Sequence, residues 1–277
     1  MLADDTTIHT SGTDAPSMVA TLQSCFSDIV EWTHLNYMSL NPTKTNYMIL
    51  ITRQKRQILN SPPAIILIGK QQLHEVSEYK LLGVTIDNNL TWGPQTRRLC
   101  KSAAKRVYQS AKNWELSHLS CSKNIFQAHI QSCIDYASTL WDSASESLLK
   151  PLKSLHRRAI KIILLKHTSL TNEGYKNTTL LPLKARLMCN KARFMHKILS
   201  VKAPTYLLEK VSINHYSRNW SRKLNVPTPR LDLFKSSLTY SGPTLWNSLP
   251  ISLTETITVS VFKTRLSKHM LSSLGIT

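Results

Sequence analysis

Residues 79–106 read YKLLGVTIDNNLTWGPQTRRLCKSAAKR, and two structural regimes meet inside them. YKLLGVTID (79–87) predicts a strand, with Gly83 interrupting it as a bulge or a close backbone approach would. From Gln95 the period becomes helical. Arg97, Lys101, Lys105 and Lys112 recur at steps of four and seven, so they share one face, while Leu99, Ala103, Val107, Ala111 and Trp114 lie toward another. The charge changes at the same place. Residues 1–90 hold six Lys and Arg against eight Asp and Glu, whereas residues 91–277 hold 29 against eight. The basic excess, formally +19 at pH 7 for 277 residues, therefore belongs to the second part, and we place a domain boundary near residue 92.

Upstream, HTSGTDAPSMVA (9–20) carries helix-start signals: Asp14 is placed to cap and Pro16 to sit in the first turn. A helix is predicted to about Tyr37. Val19, Leu22, Phe26, Ile29 and Thr33 form its apolar stripe, which needs another element to cover it. In LNPTKTNYMILIT (40–52), Asn41-Pro42 predicts a turn, and Tyr47 to Ile51 a short buried strand. SPPAIILIGKQQLHEV (61–76) reads as a β-hairpin turning at Gly69-Lys70.

Downstream, a second amphipathic helix is predicted over 146–166. Leu148, Leu152, Leu155, Ala159 and Ile162 make its buried stripe, and Lys153, Arg157 and Lys161 its wet side. A third, over 183–200, carries Lys184, Lys191, Arg193 and Lys197 beside Met188, Ala192, Met195 and Leu199. Cations without nearby acids repel one another, and phosphates relieve that repulsion, so nucleic acid is the expected partner. YSGPTLWNSLP (240–250) reads as a Gly-Pro turn followed by Trp246 as a core anchor. VSVFKTRLSKHML (259–271) reads as a helix buried through Val261, Leu266 and Met270.

Other chemistries find little support. Cys25, Cys100, Cys121, Cys133 and Cys189 form no C-x-x-C pair, which suits a reducing intracellular compartment, cytoplasmic or nuclear. His118, Cys121, His129 and Cys133 lack the short Cys-Cys spacing of structural zinc sites. His129 and Cys133 instead fit the apolar face of NIFQAHIQSCIDYA (124–137), with Phe126, Ile130 and Ala137. No apolar run approaches the ~20 residues that cross a bilayer, so no membrane role is expected. Neither a P-loop nor a nucleophile elbow occurs.

Three motifs, LADDTT (2–7), LNPTKT (40–45) and YKLLGVTID, resemble in order and spacing the palm of reverse transcriptases from jockey-like non-LTR retrotransposons. TWGPQTRRLCKSAAKR (91–106), RRAIKIIL (157–164) and SGPTLWNSLP (241–250) resemble their thumb and C-terminal segments. The resemblance implies an α+β chain with a partial polymerase palm at 1–92, a helical thumb at 93–170 and a basic, mainly helical region at 171–277. It implies RNA-templated DNA synthesis by two-metal nucleotidyl transfer, in which carboxylates hold a pair of Mg²⁺ ions about 4 Å apart. By the same resemblance Asp4 is a metal ligand, Asp5 a second or supporting one, and Lys44 the acid that protonates the departing pyrophosphate. Leu82 and Gly83 belong to the strand pair that grips the primer end. Arg97, Lys101, Lys105, Lys112, Lys153, Arg157 and Lys161 clamp an RNA/DNA hybrid or another nucleic acid.

Leu2 stands where the family has an aromatic residue. The family's fingers and its earlier palm Asp precede the LADDTT position, so this chain is expected to be a C-terminal portion that is inactive alone. The alternative is a nucleic-acid-binding module without chemistry. A structural or unfolded product is a further reading, in which the 17–37 helix and the hairpin edges stay uncovered and favour aggregation.

Overall fold

Two consecutive residues with positive φ, Leu82 at 46° and Gly83 at 82°, turn the chain back on itself in the middle of YKLLGVTID. The single interrupted strand expected there is a hairpin: β5 (Glu78–Leu81) pairs antiparallel with β6 (Val84–Asp87), with Leu81 opposite Val84. Two-residue loops with both φ values positive match the right-handed twist of the flanking strands, which is why the turn closes here. Glycine adopts such a φ freely, and leucine does so at a cost of about 1 kcal/mol.

The computed structural model describes residues 6–52, 56, 66–68, 71–114, 119–164, 175, 180–202, 204–211, 223–255 and 258–275, without the side chains of 111–114, 119 and 163–164. The chain divides between Thr91 and Trp92 into two units, and helix dominates over strand.

In the first unit, Asp14 caps α1 (Ala15–Leu35) by accepting from the Ser17 N–H at 3.0 Å, and Pro16 lies in the first turn. The stripe Val19, Leu22, Phe26 and Ile29 is only half-buried, and Thr33 alone is fully covered on this helix. The Gln23 amide brackets Leu67, donating to its carbonyl and accepting from its N–H, both at 3.0 Å. That side chain thus stitches α1 to β2 (Leu67–Ile68) in the manner of a neighbouring strand. β2 pairs antiparallel with β3 (Gln71–Gln72), the hairpin expected around residues 69–70. β1 (Asn46–Tyr47) is shorter than the 47–51 strand expected and runs parallel to β4 (His74–Glu75). Among the described residues no sheet exceeds two strands, and the buried apolar residues of this unit are Ile66, Leu73 and Val84.

The second unit is helical and has two cores. α2 (Gly93–Trp114), a run over 119–135, a short helix over 138–141 and α3 (Glu146–Leu164) enclose the first, around Phe126, Ile130, Ile134, Trp141 and Leu152. Within the 119–135 run, residues Phe126–Gln131 form a π-helical segment. α4 (Leu183–Val201), α5 (Leu238–Ser248) and α6 (Val259–Ser273) enclose the second, around Met195, Trp246, Phe262 and Leu266. Full burial of each large side chain contributes roughly 2–3 kcal/mol. α4 serves both cores: Leu183 and Leu187 enter the first, and Ala185, Cys189, Ala192, Met195 and Ile198 the second.

Two local expectations are corrected here. SGPTLWNS (241–248) runs through α5 as helix, with Pro243 inside it and Trp246 buried. Gly242 permits this, because a Cβ there would lie 2.6 Å from the Met195 sulfur of α4. On α6 the buried series is Phe262, Leu266 and Met270, and Val261 is exposed.

Candidate nucleic-acid interface

α2 begins after a turn built on Asp87, whose carboxylate accepts from the Thr91 N–H at 3.0 Å and the Thr91 hydroxyl at 2.9 Å. With 3.6 residues per turn, Arg97, Lys101, Lys105 and Tyr108 fall within about 80° of one another around the helix. All four are exposed, while Leu99, Ala103 and Val107 on the far side are buried. Arg97, Lys101 and Lys105 take part in none of the ion pairs found among the described residues. Lys112 falls on the same face about two turns beyond Lys105, but its side chain lies outside the described residues.

α3 offers a second stripe, altered from the expected one. Lys153 is half-buried and paired with Glu146, so its charge is compensated, and the bound ammonium holds the Glu146 carboxyl below its ordinary range. Arg157 and Lys161 are exposed, and Lys150 and Arg158 join them. Helical spacing from Lys161 back to Lys150 was the signal for these two, since positions 150, 157, 158 and 161 lie within about 100°. Both helices bury their opposite faces in one core. The two stripes therefore point away from that core.

The expected third basic helix dissolves. Lys191 of α4 is buried and bonded to Asp142 at 2.8 Å and to the Ser241 hydroxyl at 3.0 Å. Arg193 reaches the Ser267 hydroxyl at 3.1 Å, and Lys184 and Lys197 are left exposed. A helix flanked by two cores has no wide wet face, so Lys191 and Arg193 serve packing. Burial pushes the Asp142 carboxyl up, against the pull of Lys191.

A polar chain runs behind the first core. Gln131 donates to Asp135 at 2.8 Å, which turns its amide oxygen toward His156 Nε2 at 2.9 Å. His156 therefore donates from Nε2. Burial lowers its pKa to about 4. Asp135 also takes both Arg186 nitrogens, at 2.5 and 3.2 Å, and the Asn190 amide at 2.8 Å. This network ties the 119–135 run to α3 and α4.

The remaining expected site residues fall in the first part of the chain. Asp4 and Asp5 lie outside the described residues. Lys44 is exposed on a turn ordered by Asn41, whose side-chain oxygen accepts from the Thr43 N–H and hydroxyl. Leu82 and Gly83 form the hairpin tip. Among the described residues no three His, Cys, Asp or Glu side chains gather as metal ligands. His118 lies outside the described residues, Cys121 and His129 are exposed, and Phe126, Ile130 and Ile134 fill the buried face near them. No helix among the described residues is long and apolar enough to cross a membrane.

Compared with known proteins, the chain is distantly similar to the RNA-directed DNA polymerase from mobile element jockey of Drosophila melanogaster. The two are 22% identical over 166 residues, which cover 58% of this chain and 17% of that polymerase. The chain thus matches under a fifth of that relative's length. No protein-family model matches the chain. No solved structure matches it either.

Proposed function

We propose that this chain is a reverse-transcriptase-related protein that binds nucleic acid through the exposed stripes of α2 and α3. The observation that carries this reading is the row Arg97, Lys101 and Lys105, exposed on one face of α2 and opposite its buried face. Phosphates neutralise such a row and release counterions, which gives affinity independent of base sequence. Arg157 and Lys161 extend the contact. The distant polymerase similarity supports an RNA/DNA hybrid as one such ligand, with residues 1–92 as palm and α2 and α3 as thumb.

The polymerase chemistry is a separate part of the proposal. Asp4 and Asp5 would hold Mg²⁺, which would activate the primer hydroxyl and stabilise the leaving pyrophosphate. Lys44 would protonate that pyrophosphate, and the Leu82-Gly83 tip would contact the primer end. Two adjacent carboxylates do not by themselves complete a two-metal site. We therefore assign binding, and no nucleotidyl transfer, to the chain alone. An isolated chain incubated with a primed RNA template, Mg²⁺ and nucleotides is expected to leave the primer unextended. Extension that disappears in Asp4→Asn would replace this reading with an active polymerase.

Binding itself is tested by fluorescence anisotropy of labelled duplexes across a salt series. The triple variant Arg97→Ala/Lys101→Ala/Lys105→Ala should bind more weakly to every sequence, with the slope of log K against log salt shallower by roughly 3. Unchanged affinity and slope would reject the interface.

A further inference from the structure

The stripe on α2 contains one residue that phosphate binding does not explain. Tyr108 is 69% exposed, three residues beyond Lys105 and about 16 Å along the helix from Arg97. It shares their face, and none of the ring contacts among the described residues involves it. Side chains on a helix lean over the preceding turn, so this ring lies toward Ala104 and Lys105. Ala104, one turn before it, is exposed and carries only a methyl group, so that neighbour does not cover the ring. An isolated exposed Tyr is an ordinary surface feature. A row of three cations ending in an open aromatic ring has the composition of a single-strand site, with a charged track for the backbone and a flat face for a base.

We propose that Tyr108 is a base-stacking platform at the end of the Arg97, Lys101 and Lys105 row, and that this surface takes an unpaired stretch of nucleic acid in preference to a closed duplex. The inference rests on the nucleic-acid reading above and deepens it. A duplex hides the faces of its bases in the stack, so it can meet the cations but gives Tyr108 only an end or a frayed base. An unpaired strand offers both together. Every base has a π face, so the preference concerns strandedness and is tolerant of sequence.

The test uses the full chain and four fluorescent probes of equal length: single-stranded RNA, single-stranded DNA, an RNA/DNA hybrid and a DNA duplex, blunt-ended. Tyr108→Ala should weaken both single strands roughly five- to hundredfold, the range for one base stacked on an aromatic ring, and leave the closed helices within about twofold. Tyr108→Phe should bind as the parent does. The salt slope should stay unchanged in both, whereas Lys101→Ala should flatten it by about one for all four probes. Equal affinity of Tyr108→Ala and the parent for single strands, or an equal loss on all four probes, overturns the stacking role. If the lysine and arginine variants also bind normally, the nucleic-acid reading fails with it; if they weaken binding while Tyr108→Ala does not, the stacking inference alone falls. A difference between the RNA and DNA single strands identifies which of them the site accepts.

Discussion

At the scale of single residues, this protein places charge inside as well as outside. The side chains of Lys191 and Asp142 are 10% and 8% exposed, and the ammonium reaches the Ser241 hydroxyl as well as Asp142 Oδ2. Removing one partner strands the other in a poorly solvated place. Lys191→Met is therefore expected to destabilise the fold by about 3 kcal/mol or more, and Lys191→Met/Asp142→Leu to recover much of that loss. Urea midpoints of the two variants decide this. His156 gives a pH signature. Its folded pKa, about 4, lies below the ordinary 6.5, so between these values the unfolded chain binds the extra proton. Stability thus falls as pH drops from about 6.5 toward 4, by about 3 kcal/mol in total, and loses nothing further through this group below that. His156→Gln should remove that slope in urea titrations at pH 7, 5.5 and 4.5, although it lowers stability at pH 7 by disturbing the Gln131 bond.

At the scale of elements, two short stretches depend on backbone shape. The hairpin tip seats Leu82 in a conformation that favours Gly or Asn, so Leu82→Asn should raise stability by roughly 0.5–1 kcal/mol, read as a higher melting temperature. α5 and α4 approach at Gly242, where a methyl group would press on the buried Met195 sulfur. Gly242→Ala is expected to cost about 1 kcal/mol net, because overpacking outweighs the gain in helix propensity. A melting temperature above that of the parent would show that Met195 moves aside freely. On α2, by contrast, exposed positions tolerate substitution, and the variants of Arg97, Lys101 and Lys105 should melt within about 0.5 kcal/mol of the parent.

At the scale of the whole molecule, the two units differ in how much apolar surface they cover. The helical unit has two cores, whereas α1 leaves a groove of about 480 Å³ lined by Phe26, Val30, His34, Leu35 and Leu67. Leu35 is 71% exposed, and Trp32, Tyr37 and Met38 beside it are exposed too. An apolar surface of that kind attracts other apolar surfaces. The full chain should bind a hydrophobic dye such as ANS and associate at high concentration, and Trp32→Ser/Leu35→Ser should reduce both. Dye fluorescence unchanged in that variant would place the exposed apolar surface elsewhere.

Much of this organisation was legible in the residues themselves. The cap at Asp14, the hairpin around 69–70, the buried faces of α2 and α3 and the change of regime near residue 92 all follow from local spacing and composition, because period and turn chemistry act within a few residues. The exposed row on α2 was legible for the same reason: a face opposite a buried stripe is wet unless something covers it. Tertiary structure decided the rest. Lys191 reads as a surface cation until α4 is placed between two cores, Lys153 until Glu146 reaches it, and Gly242-Pro243 as a turn until α5 closes on Met195. For Lys191 and Gly242 the deciding partner lies on a distant element, whereas Glu146 stands two turns before Lys153 on the same helix face. Sequence thus sets which faces can be buried, and only packing settles which of them are.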